Sequence, residues 1–133
     1  MASPPSVCVL SRVGAGGYVR IDNFGPHTQL ETVLVTVEVK KHTFALRVHG
    51  DSMKGRGANS FPSGTIVVIE PDMKARPGDF VIVLNRARRA TFKQWVLIGD
   101  VSYLRPLNKR FKTRLLGDGE IVGVVREAIW RVR

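Results

Sequence analysis

Several things are scarce in this chain, and each scarcity excludes something. Cys8 is the only cysteine among 133 residues, so no internal disulfide can form, and the thiol fits a reducing compartment better than an extracellular framework. No apolar run approaches the roughly 18 residues of a membrane span. Residues 1–10 carry two prolines and no basic leader, which argues against a secretion signal. The three histidines, His27, His42 and His49, are scattered without ligand spacing, so neither a metal site nor a cofactor is expected. A long amphipathic helical period is missing throughout. These absences leave a soluble, cytoplasmic protein with no membrane association as the expectation.

What is present is a core and a charge. An apolar content of 44% in 133 residues is enough for one domain with a real interior. The formal charge of +10, from 21 Lys and Arg against 11 Asp and Glu, raises nucleic acid or another acidic partner as a first candidate. The excess concentrates between Arg86 and Arg114, where nine basic residues meet one acid, Asp100. No helix-turn-helix, zinc-finger or aromatic RNA-binding pattern accompanies it, so a solvated basic face is the simpler reading. Salt-dependent DNA binding by this stretch is the alternative, and unchanged DNA mobility at low salt would dispose of it.

Taken in order, residues 1–6 are expected to be a Ser- and Pro-rich, disordered tail, and 7–133 a single domain. Residues 7–10 suggest a short strand. The segment 11–19 surrounds Ala15 with Gly14, Gly16 and Gly17, a loop suited to lying extended in a narrow cleft. Residues 22–29 read as a connection. In 32–39 the residues Val33, Val35, Val37 and Val39 fall on one face; in 43–48 Phe44, Leu46 and Val48 do the same. Joined by the turn 40–42, these two predict a β-hairpin presenting Ser52 at its exit. A helical turn and loop are expected over 53–61. The segments 63–69 and 77–83 each put a glycine turn before a continuous apolar run, as strands buried on both faces do. A basic turn follows at 86–89. In 90–98 the residues Thr91, Lys93, Trp95 and Leu97 share a face. A short strand at 103–104, a basic loop over 106–118 and a long last strand over 120–132 complete the chain. That last strand suits pairing with a second subunit or burial against its own sheet equally well. The predicted fold class is mainly β, a compact coiled sheet assembly with at most short helical turns.

The chemistry centres on Ser52, placed just after a strand and the turn-forming Gly50. A serine hydroxyl needs a base within hydrogen-bond reach and donors for an oxyanion. His49 lies three positions away on a strand and so points to the opposite face, and His27 and His42 have no acid at a telling spacing, so a Ser-His-Asp triad has no support. Lysine can serve once burial strips its solvation and lowers its pKa. Lys93 stands between Phe92 and Trp95, whereas Lys40, Lys41, Lys109 and Lys112 lie in basic turns. By itself, that setting also fits an edge-strand lysine whose head reaches water.

The runs Val48-His49-Gly50-Asp51-Ser52-Met53, Phe61-Pro62-Ser63-Gly64-Thr65-Ile66-Val67-Val68, Pro77-Gly78-Asp79-Phe80-Val81-Ile82-Val83, Thr91-Phe92-Lys93 and Leu104-Arg105-Pro106-Leu107-Asn108 together resemble the self-cleaving C-terminal domain of LexA and phage repressors. That family includes UmuD and is distantly similar to signal peptidases. The likeness runs from about Val9 to the C-terminus, with Ser52 and Lys93 separated by 41 residues. It implies a serine-lysine autopeptidase acting once, in cis: Ser52 as nucleophile, Lys93 as neutral general base, backbone N–H groups of Asp51 and Ser52 as oxyanion hole, and Ala15-Gly16 as scissile bond. It also implies a homodimer and a trigger, the RecA filament on single-stranded DNA or an antirepressor. Operator DNA would be bound only through an N-terminal domain. Fifteen residues precede Gly16, too few for such a domain, so the chain is expected to be either the C-terminal part of a repressor or a UmuD-like mutagenesis protein complete without one. The Ala-Gly pair favours the repressor, since UmuD proteins tend to carry Cys-Gly. A dimerisation and docking module that no longer cleaves is the third reading. A signal-peptidase role is disfavoured because the sequence shows no membrane anchor.

Overall fold

β-branched and aromatic runs separated by Gly and Pro turns become ten strands among the described residues. The structure, a computed structural model, describes residues 5–14, 19–20 and 31–130. The strands are β1 (Ser6–Gly14), β2 (Val19–Arg20), β3 (Glu31–Leu34), β4 (Phe44–His49), β5 (Ile66–Glu70), β6 (Phe80–Leu84), β7 (Arg89–Ile98), β8 (Val101–Arg105), β9 (Arg114–Leu115) and β10 (Glu120–Ile129). Among the described residues there is no helix, and therefore none long and apolar enough to cross a membrane. The mainly β class is as expected.

All ten strands belong to one mixed sheet, ordered β3-β1-β4-β5-β10-β6-β7-β8-β9, with β2 on β7. The sheet coils until its path meets itself. β1 runs parallel to β4 and pairs Gly14 with His49; the same Gly14 pairs with Thr91 of β7. Strands β1, β4, β5, β10, β6 and β7 thus form a closed ring, which is how the exit of β4 comes beside the middle of β7.

The expected hairpin of 32–39 with 43–48 does not form. β3 pairs antiparallel with β1, not with β4, and β1 lies between them. β3 also stops at Leu34. Val33 and Val35 are buried, but Val39 is 37% exposed, so the valine alternation outlasts the surface available to cover it. Glu127 instead holds Thr36 beyond the strand end, accepting from its N–H at 2.8 Å and its hydroxyl at 2.6 Å. The helical turn expected after Ser52 is also missing, 53–61 being turns and bends without helix. β1 continues to Gly14, so 11–14, expected in the loop, are strand. Residues 1–4, Ala15 and Gly16, and the connection at 22–29 lie outside the described residues.

β5 and β6 are buried on both faces, as their unbroken apolar runs predict. Val67, Ile69 and Ile82 face a cluster with Leu46, Val48, Met53, Phe61 and Phe92, while Ile66 and Val68 face Val7, Val9, Val33 and Ala45. β4 contributes to both clusters, so it is a central strand and not the half-buried one its alternation suggested. Phe61 meets Phe80 and Phe92 edge-on, each at a ring-centroid distance of 4.9 Å, a geometry worth about 1 kcal/mol per pair beyond area.

β10 changes partners along its length, pairing with β6 from Glu120 to Val124 and with β5 from Val124 to Ile129. Gly123 sits at the irregularity between Ile121 and Gly123, and a Cβ there would collide with Ile69 Cγ2. Gly123→Ala is therefore expected to destabilise the fold by about 1–3 kcal/mol, read as a lower thermal midpoint with intact β circular dichroism; an unchanged midpoint would contradict this packing.

Candidate active site

Gly50 turns the chain out of β4 with φ +99°, a conformation costly for any residue with a Cβ. Asp51 is left exposed while Ser52 and Met53 turn inward. Met53 is fully buried in the aromatic cluster and accepts a hydrogen bond from the Phe61 N–H at 2.8 Å. The serine is thereby pinned to the core by its neighbour. Its own exposure is 0%.

Lys93 comes from the middle of β7, opposite Val81 in the register with β6, on the face of Thr91 and Trp95 as its strand position requires. It is 8% exposed. Its Nζ lies 3.1 Å from Ser52 Oγ, 3.0 Å from Thr91 Oγ1 and 3.2 Å from the Phe92 carbonyl oxygen. These three contacts are to two hydroxyl oxygens and one carbonyl oxygen. Burial, and secondarily the positive charge of Arg114, lower the Lys93 pKa from 10.5 to about 8. A neutral amine has two N–H donors and one lone pair. In its neutral form it can donate to Thr91 Oγ1 and the Phe92 carbonyl and turn its lone pair to the Ser52 hydroxyl proton. The snorkelling alternative for Lys93 does not hold, because its head is in the interior.

The N–H groups of Asp51 and Ser52 have no acceptor among the described residues. Two carbonyls of the same turn are engaged: Asp51 O accepts from the Lys54 N–H at 3.1 Å, and Ser52 O from the Asn108 N–H at 2.9 Å. An open depression of about 720 Å³ beside the turn is lined by Asp51, Lys54, Arg56, Leu107, Asn108 and Lys109, among others.

Neither of the described histidines competes for the base role. His42 Nδ1 lies 2.8 Å from Asp72 Oδ2, but this pair sits before β4 begins whereas Ser52 follows its end, roughly 20 Å of strand away. His49 is exposed, and His27 lies outside the described residues. No group of three or more His, Cys, Asp or Glu that could hold a metal occurs among the described residues. The basic stretch is solvated apart from Lys93: Arg86 contacts Asp118 at 3.5 Å with both side chains largely exposed. Arg105 donates to Gln94 Oε1 at 2.7 Å. Thr91 and Asn108 are the partners that sequence reasoning did not single out. Thr91 was legible from its position two residues before Lys93 on the same face, whereas nothing local to Asn108 signals its reach to Ser52.

A coiled β-fold thus sets a buried serine against a buried lysine. The chain belongs to the Peptidase S24-like family, whose profile matches residues 8–126. It is similar to the HTH-type transcriptional regulator for conjugative element R391 of Providencia rettgeri, 37% identical over 125 residues, covering 91% of this chain and 58% of that protein. It is also similar to repressor protein C2 of Salmonella phage P22, 35% identical over 95 residues, covering 70% of this chain and 44% of the repressor. The LexA repressor of Cereibacter sphaeroides is 31% identical over 124 residues, covering 89% of this chain and 53% of LexA. The chain spans about half the length of these relatives.

Proposed function

We propose that this chain is the self-cleaving and dimerisation domain of a prophage or SOS-type repressor, cutting its own Ala15-Gly16 bond with Ser52 and Lys93 when stimulated by the RecA filament or an antirepressor. The observation that carries the reading is the 3.1 Å approach of Lys93 Nζ to Ser52 Oγ, with both side chains buried. Lys93 takes the hydroxyl proton as Ser52 Oγ attacks the Ala15 carbonyl carbon. The oxyanion is received by the N–H groups of Asp51 and Ser52. Lys93 then gives the proton to the leaving Gly16 nitrogen, and water releases Ala15 from the ester. Gly14 supports this assignment, since it pairs with β4 at His49 and β7 at Thr91 and directly precedes Ala15 in sequence. Because substrate and enzyme are one chain, the rate depends on how often the segment is seated, and a trigger would act on that fraction.

The relatives' names favour a repressor domain over a UmuD-like accessory protein. In that reading operator DNA is contacted by the part of a repressor that this chain does not match. The homodimer would form through the C-terminal strand, where β10 has left β6 beyond Val124 and Trp130 is 66% exposed. The test is prolonged incubation of the purified chain at pH 9–10 followed by denaturing mass spectrometry. Fragments 1–15 and 16–133 are expected from the parent and not from Ser52→Ala. No product from the parent would leave a non-cleaving dimerisation and docking module, and cleavage by Ser52→Ala would reject the nucleophile.

A further inference from the structure

Asn108 reaches the nucleophile turn from another part of the chain, the loop that follows β8. Its backbone N–H donates to the Ser52 carbonyl at 2.9 Å, and its side-chain Nδ2 donates to the Asp51 carbonyl at 3.1 Å. The amide orientation is set independently, because Asn108 Oδ1 accepts from the Arg110 N–H at 3.0 Å, which leaves Nδ2 for Asp51. Two anchors hold the loop: Pro106 is buried, and Leu107 packs against the cluster containing Met53 and Phe92.

We propose that Asn108 is a positioning residue for self-cleavage, fixing the two peptide planes that flank Ser52. This rests on the reading of Ser52 and Lys93 given above. A trans peptide is planar, with its N–H antiparallel to its C=O, so holding a carbonyl aims the amide on its far side. The Asp51 carbonyl belongs to the peptide unit whose N–H is that of Ser52, one of the two oxyanion donors. The Ser52 carbonyl belongs to the unit that leads into Met53. With the Lys54 N–H as the only other partner of the Asp51 carbonyl among the described residues, Asn108 is the one residue from outside the turn that holds both the direction of an oxyanion donor and the backbone frame from which Ser52 Oγ projects toward Lys93. The hydrogen bonds of Asn108 go to Ser52, Asp51, Arg110 and Phe111 and not to Lys93, so its removal should reduce the rate without altering the basicity of the amine.

That separation makes the test specific. Cleavage rates of the parent, Asn108→Ala and Asn108→Asp are measured from pH 6 to 10.5 by quantitative mass spectrometry, alongside thermal melting. Asn108→Asp keeps the shape and the backbone N–H but replaces the side-chain donor by an acceptor facing the Asp51 carbonyl. Both variants are expected to show an alkaline plateau roughly tenfold to hundredfold below the parent, with the midpoint of the pH profile still at about 8. A plateau equal to the parent's would overturn the clamp and leave the Ser52 and Lys93 assignment standing. A lowered plateau whose midpoint moves toward 10.5 would overturn it too, since that marks water entering around Lys93 and a merely structural role. If the parent itself yields no fragments at any pH, the dyad fails, and the role of Asn108 fails with it.

Discussion

Lys93→Met is expected to abolish self-cleavage at every pH and, near neutrality, to melt at a higher temperature than the parent. The two effects have one origin. In the proposed role the amine serves as a base because burial favours its neutral form, and the same burial makes it costly to charge. Lowering its pKa from 10.5 to about 8 corresponds to about 3 kcal/mol of destabilisation at pH 7, where both folded and unfolded chains carry the proton. Methionine has a similar length, fills irregular space well and asks for no solvation. Lost contacts to Thr91 Oγ1 and the Phe92 carbonyl offset part of the gain, so a rise of several degrees is the reasonable scale. Loss of the general base should cost on the order of a thousandfold or more in rate. Calorimetry at pH 7 and fragment analysis at pH 10 check both halves. Fragments from the variant, or a midpoint below the parent's, would contradict the assignment of Lys93 as a strained buried base.

The second large effect is the pH dependence of the parent chain. Cleavage needs the neutral amine, so the rate should climb about tenfold per pH unit below pH 8 and level off above it, with the midpoint at about 8. Between pH 6 and 9 this amounts to on the order of a hundredfold. Stability must follow in the matching window. The folded pKa is lower than the unfolded one, so between about 8 and 10.5 the unfolded chain holds the proton that the folded chain has released. Within that interval the Lys93 contribution makes stability rise with pH; below it the full cost of the buried charge applies, and above it none. The difference in unfolding free energy between the parent and Lys93→Met isolates this group from other titrations. It should shrink by about 3 kcal/mol across the window. A flat difference would mean that Lys93 titrates like a surface lysine.

The turn at Gly50, the apolar runs of β5 and β6 and the facing of Lys93 were all legible in the sequence, because each depends on residues close together in the chain. Strand partners were not. Phe44, Leu46 and Val48 announce a strand by their alternation, but nothing within 32–48 says that β1 inserts between β3 and β4. That choice depends on Val7 and Val9 completing a cluster with Val33 and Ala45. The pairing of Ser52 with Lys93 was implied by family resemblance, with composition and spacing giving it only modest support. Asn108 closes one of the runs that carry the resemblance, but its contact with Asp51 could not be read, since it spans 57 residues and leaves no periodic trace.

β1 has a double allegiance. It is a working strand of the sheet, with Val7 and Val9 buried and neighbours on both sides, yet all of it precedes Ala15. A cut after Ala15 would not shed a loose tail. It would convert an integral strand into a guest peptide held only by hydrogen bonds and packing, whose departure would uncover the flanks of β3 and β4 and the side chains of Val33, Ala45 and Val68. The severed domain would then be a receptor with a vacant strand-shaped seat.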